Sequence, residues 1–204
     1  MGRPNPQQGY TVVELMMAMA VMTIGIMGVF SMQKVTLEAN QHAKNLSIAN
    51  HIAQAWLDEL AAESSQWNDT DDFDETVWLG LVGAENTVNP NWIRPTYNAA
   101  RMFGPAFDAL GSPVATLNIA NDAHFCSDIR LTWMHGQNTV KRGGGLIRAQ
   151  VRVYWRVQGA LDLAGSPPAH VCAKTALEMD QDDALQLFHF VYATTAVRQH
   201  LGAD

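Results

Sequence analysis

The sequence predicts an α+β protein, with one long N-terminal α-helix packed on an antiparallel β-sheet head. Three observations carry this prediction. The run from Val12 to Met32 is apolar apart from Glu14, Thr23 and Ser31, with no charge between Glu14 and Lys34. Beyond it, Leu46, Ala49, Ala53, Trp56 and Leu60 recur at steps of three and four, which places one apolar stripe on a continuing helix. In the second half, Ile147, Ala149, Val151, Val153, Trp155 and Val157 alternate with Arg148, Gln150, Arg152, Tyr154, Arg156 and Gln158, the period of a strand with one face on a core.

The helix is expected to run unbroken from near Thr11 to about Ala62. At 1.5 Å per residue such a rod measures about 75 Å. Its first half meets the need of about 20 apolar residues for crossing a bilayer. Its second half is laid against the sheet. A secretory signal peptide is the rival reading of the apolar run, because it too places a short polar leader before a greasy segment. The flank after the run, Val29 to Met32, is a poor cleavage site, and the leader has Arg3 as its one basic side chain. A carboxylate costs about 2.5–3.5 kcal/mol at a membrane centre and less near the interface, which a disposable signal has no reason to bear.

The string Gly9-Tyr10-Thr11-Val12-Val13-Glu14 ahead of this run resembles the prepilin signature of type IV pilins and related pseudopilins. The resemblance implies a pilin-like lollipop. It also implies cleavage by a prepilin peptidase after Gly9, N-methylation of Tyr10 as the mature N-terminus, and use of Glu14 in assembly. Tyr10 stands where phenylalanine is more usual, and Thr11 occupies the expected hydroxyl position. The segment Ala20 to Gln33, with Gly25 and Gly28 inside it, is similar to that of PilV-type minor pilins. Each glycine softens a helix by about 1 kcal/mol relative to alanine. No proline follows until Pro90. A leader over residues 1–9 follows, with a transmembrane half over 10–33, an amphipathic half over 34–63 and a globular periplasmic head over 64–204.

Elementary electrostatics supports the same assignment. A new amino terminus at Tyr10 is cationic, and Glu14 is its natural counter-ion, because a paired charge in a low dielectric is far less costly than a lone one. The carboxylate of an incoming chain that reaches its neighbour's amine fixes the axial register of two stems. By family analogy the partners are other minor pilins, the major pilin, the prepilin peptidase and the inner-membrane platform protein. The expected location is the inner membrane, single-pass with a periplasmic head, and then the assembled pilus. Two alternatives share these features: a minor pseudopilin of a type II secretion system, and a tip adhesin using aromatic patches around Trp67, Trp78, Trp92 and Phe103 in the region from Asp69 to Asn121.

At 204 residues the chain has room for one core and an appendage. A net charge of -7 with 13 basic residues excludes a default nucleic-acid footprint. Cys126 and Cys172 are too few for a disulfide scaffold and too far apart for a metal knuckle. They form one bridge outside the cytoplasm, or two buried thiols in a reducing compartment. The acidic patch Asn68 to Glu75 ends the helix. Counted as a calcium loop from Asp69, it has Asp71 in place but Phe73, Asp74 and Gly80 at the next positions, which favours a solvated turn. Ser127 to His135 and the strand after Lys141 to Gly145 read as an antiparallel pair. Leu185 to Val197, apolar on both faces, reads as an interior strand. Arg148, Arg152 and Arg156 read as a solvated strand face rather than an anion-binding stripe. The seven histidines occur singly, His124 beside Cys126 has no second nearby cysteine, and no GxSxG or phosphate loop is present. No enzyme activity, cofactor or metal is expected.

Overall fold

A computed structural model describes residues 11–67, 76–82, 91–115, 119–135, 145–157, 159 and 170–199. The chain divides into two units, Met1–Lys44 and Asn45–Asp204. Helix α1, Val12–Glu63, supplies the described part of the first unit and opens the second. The expected helix from Thr11 to Ala62 therefore forms within a residue at each end.

In the second unit a four-stranded antiparallel sheet has the order β1-β2-β3-β4. Strand β1 is Ala106–Phe107, β2 is Phe125–His135, β3 is Leu146–Arg156 and β4 is Phe188–Arg198. Short helices α2, Ile119–Asp122, and α3, Asp182–Leu187, precede β2 and β4. Strands β2 and β3 pair from Phe125 opposite Trp155 to His135 opposite Leu146, with a register shift between Trp133 and His135. Strand β4 pairs with β3 from Leu146 opposite Arg198 to Arg156 opposite Phe188. On the other side of β2, the short β1 pairs Ala106 with Cys126 and Phe107 with Phe125, and a separate antiparallel bridge joins Ile93 to Ile129.

Period two explains one face of the sheet. Ile129, Leu131, Ile147, Ala149, Val151 and Val153 form one buried cluster with Ala49, Ile52, Ala53, Trp56 and Leu60 of α1. Each large aliphatic or aromatic side chain so buried contributes about 1.5–3 kcal/mol. Trp56 lies at the centre. Its ring meets Trp78 at 5.1 Å and Phe103 at 4.7 Å edge to face. Its indole N–H donates to Ser127 Oγ at 2.7 Å, and that hydroxyl donates to the Pro105 carbonyl at 3.1 Å. Ile52 joins the predicted stripe, whereas Leu46 is 40% exposed.

The opposite face departs from simple alternation. From Val151 to Trp155 every residue of β3 is buried. A second cluster, including Cys126, Tyr154, Val171, Cys172, Met179, Leu187 and Phe188, covers that half of the face. The same cover accounts for a correction. The sequence predicts an interior strand over Leu185–Val197, but β4 lies at the sheet edge, and the strands flanked on both sides are β2 and β3. Leu185 and Leu187 belong to α3, and Phe188 is apolar because the second cluster buries it.

Candidate functional site

Helix α1 begins with a reciprocal logic visible in its first residues. Thr11 has a short hydroxyl side chain one position before the helix, and its Oγ1 accepts from the Glu14 backbone N–H at 3.3 Å. The Thr11 carbonyl accepts from Leu15 N–H at 3.2 Å, which closes the first helical turn. Glu14 is the acidic residue of that turn, where a negative charge complements the helix dipole. Its side chain is exposed. Gly9 and Tyr10 lie outside the described residues, so the structure brings together Thr11 and Glu14 only.

Beyond Glu14 the helix surface is apolar and open: Leu15, Met16, Met19, Met22, Ile26 and Phe30 are among its exposed side chains. α1 is long and apolar enough to cross a membrane, and its most apolar stretch is not buried within the chain. Three of its hydroxyls, on Thr23, Ser31 and Thr36, are satisfied internally. Thr23 Oγ1 donates to the Met19 carbonyl, Ser31 Oγ to Met27 O at 3.0 Å and Thr36 Oγ1 to Met32 O at 2.9 Å. Each i to i−4 bond removes a polar group that hydrocarbon would leave unpaired. Outside the apolar run, Lys34 and Glu38 form an exposed i, i+4 ion pair at 3.8 Å.

The head contains two buried charge sites that residue spacing did not reveal. Glu63, fully buried, accepts from Val77 N–H at 2.8 Å and Trp78 N–H at 3.2 Å through Oε1, and from Trp78 N–H at 3.0 Å and Leu79 N–H at 2.8 Å through Oε2. The carboxylate thereby caps the 3-10 turn Leu79–Leu81, with Arg101 Nη2 at 3.5 Å from Oε1. The second site centres on buried Asp128. Its Oδ1 accepts from Arg94 Nε at 3.0 Å, and its Oδ2 from Arg152 Nε at 3.1 Å. Arg152 also reaches Asp180 and the Ala176 carbonyl, while Arg94 donates to the Cys172 carbonyl at 2.7 Å and to Tyr154 Oη. Burial, and then the charge of Asp128, hold the Tyr154 phenol well above its ordinary pKa. Cys126 and Cys172 are joined in a disulfide in the adjoining cluster.

Arg152 is thus a correction to the solvated-face reading. It is 1% exposed and belongs to the Asp128 network, while Arg148 and Arg156 are exposed. Alternation assigned its face, but it cannot show which half of a face another segment covers. The aromatic patches proposed for a tip adhesin are also displaced from solvent. Trp67 and Trp78 are fully buried, Trp92 is 8% exposed, and Phe103 packs against the main core. The calcium count over Asp69, Asp71, Phe73 and Asp74 falls outside the described residues. Among the described residues no group of three or more His, Cys, Asp or Glu side chains is arranged to hold a metal ion.

A long N-terminal helix with a four-stranded antiparallel sheet is an α+β pilin-like arrangement. Residues 4–30 match the family described as the prokaryotic N-terminal methylation motif. That match spans Gly9, Tyr10 and Glu14, and supports a prepilin of the type IV pilin or pseudopilin kind. No curated protein and no solved structure matches the chain.

Proposed function

We propose that the chain is a minor type IV pilin of the PilV kind, made as a prepilin. Residues 1–9 are a leader removed after Gly9, and Tyr10 becomes the N-methylated terminus. Residues 10–33 cross the inner membrane, 34–63 continue the helix, and 64–204 form a periplasmic head. The protein joins other minor pilins and the major pilin to prime or cap a filament, driven by machinery it does not contain. Its contribution is packing and register rather than catalysis. The apolar stem leaves lipid when neighbouring stems replace it, and Glu14 neutralises the amine of an adjacent Tyr10.

The observation that carries this reading is Glu14 standing exposed in the first turn of α1, at the head of a run with no other charge before Lys34 and inside the residues that match the methylation motif. An exposed carboxylate at the edge of lipid needs a cation, and processing at Gly9 creates one four residues away. N-terminal sequencing or mass spectrometry of the mature protein tests it. The expected first residue is methylated Tyr10. A mature form beginning after Phe30, or one that keeps Met1 in assembled fibres, overturns the reading. Glu14→Ala leaves the precursor inserted and cleaved but abolishes its incorporation into filaments. On deletion, loss of twitching rather than loss of secreted enzymes separates a pilus subunit from a type II secretion pseudopilin.

A further inference from the structure

The charge of this chain is unevenly distributed. Strands β2, β3 and β4 together carry five arginines and one acid, Asp128, in a protein of net charge -7. The register puts all six on the face opposite α1, because Asp128 lies opposite Arg152 and Arg130 opposite Gln150, and Leu146, two residues before Arg148, lies opposite Arg198. Asp128 is already neutralised by Arg94 and Arg152. Among the described residues of β2–β4, the charged side chains on the half of the face not covered by the second cluster are therefore all basic.

The same register arranges the remaining cations in order. Arg130 on β2, Arg148 on β3 and Arg198 on β4 are each displaced by one strand and two residues, a straight diagonal across the sheet. Diagonal neighbours of this kind are about 7–8 Å apart, so the stripe is about 15 Å long. Arg148 and Arg198 are exposed and, among the described residues, have no acidic partner. Arg130 is held flat, with its guanidinium over the Trp92 ring at 4.6 Å and Nε donating to Gln150 Oε1 at 2.9 Å. Tyr192, 60% exposed, stands opposite Arg152 and adjoins the Arg130 end of the stripe through Trp92 at 6.0 Å, with its ring stacked on Phe190 at 6.1 Å.

We propose that this face binds an anionic, carboxylate-bearing polysaccharide. Regularly spaced guanidinium groups match carboxylates with planar, two-pronged hydrogen bonds. The Gln150 amide N–H groups and the oxygen of exposed Thr194, whose hydroxyl donates to the Ala149 carbonyl at 3.2 Å, offer neutral partners for sugar hydroxyls, and the Tyr192 ring offers a plate for a sugar's C–H face. A protein partner would need an apolar centre to its contact. Among the described residues, the exposed large apolar side chains of β2–β4 are Tyr192 and Met134, the latter at the register shift, which is too little. Single-stranded nucleic acid would need successive stacking plates, and among the described residues of β2–β4 one large ring, that of Tyr192, is exposed on this face.

The test uses the full unprocessed chain in a non-ionic detergent, titrated with polygalacturonate, its methyl ester, polyglutamate and oligothymidylate. Polygalacturonate is expected to bind in a salt-sensitive way, and the uncharged ester not to bind. The double variant Arg148→Gln, Arg198→Gln should bind on the order of tenfold more weakly, as the loss of two exposed ion pairs implies. Arg156→Gln, off the stripe, should stay within about twofold. Both variants should melt with the parent protein, since neither Arg148 nor Arg198 has an ion pair to lose among the described residues. Absence of polygalacturonate binding, equal binding by the double variant, or equal or tighter binding of polyglutamate or oligothymidylate overturns the proposal. Because the chain is tested before any cleavage, the result is independent of the role given to Gly9, Tyr10 and Glu14.

Discussion

Glu63 shows how much structure one side chain can hold. It closes α1, and its two oxygens take the N–H groups of three consecutive residues, Val77, Trp78 and Leu79, fourteen to sixteen positions later. Glu63→Ala leaves those donors buried without an acceptor and is expected to destabilise the head by about 3–5 kcal/mol, measured by urea unfolding. Tyr154 gives a prediction in pH. Its phenol ionises near 10 when unperturbed and well above that in the fold. The folded state therefore keeps a proton that the unfolded state has lost. Stability is fully present below pH 10 and falls above it by about 1.4 kcal/mol per pH unit from this group. Tyr154→Phe should lower the neutral-pH stability through the lost contact with Arg94, yet flatten the decline above pH 10. An unchanged alkaline slope would mean that Tyr154 ionises in the fold as it does in water.

At the scale of elements, α1 combines a segment with no internal partner and a segment that builds a core. A Cβ added at Gly25 or Gly28 meets no atom within 4 Å apart from its neighbours and the adjoining backbone of its own helix. Alanine at both positions should therefore stabilise the helix by about 1 kcal/mol each and leave the melting of the head unchanged. Circular dichroism and head melting check this, and an assembly defect in the same variant would report contacts with neighbouring subunits. The difference between these segments also marks what was legible. The apolar run, the Ala49 to Leu60 stripe and the strand alternation are local patterns, and they foretold α1, β2 and β3 closely. The burial of Phe188 on the edge strand β4 and of Arg152 on β3 depends on the segment from His170 to Leu187 lying over one half of the sheet, a contact with no local period. Gly145 is a similar case. It reads as a turn glycine, but a Cβ there would lie 2.5 Å from the Trp67 ring, so close approach to a distant residue adds a second reason for glycine. The methylation motif over residues 4–30 was legible because its meaning lies in order along the chain rather than in packing.

At the scale of the whole head, the segment from His170 to Leu187 is fastened to the sheet in two chemically different ways. The Cys126–Cys172 bond closes a loop with a sequence separation of 46, worth about 4 kcal/mol in a chain-entropy account. The Asp128 network grips the same segment through the Cys172 carbonyl, the Ala176 carbonyl and Asp180. If both fasteners hold one docked unit, losing either weakens the other, since a released segment presents no carbonyls to Arg94 and Arg152. A double-mutant cycle separates that arrangement from two independent clasps. Cys126→Ala with Cys172→Ala forms one arm, and Asp180→Asn the other, each followed by urea unfolding. The combined variant should lose less stability than the two arms added together, by about 0.5–2 kcal/mol, as expected for groups that share one structural unit. Strict additivity would mean that the disulfide acts on the unfolded chain alone, leaving the ionic network to hold the segment unaided.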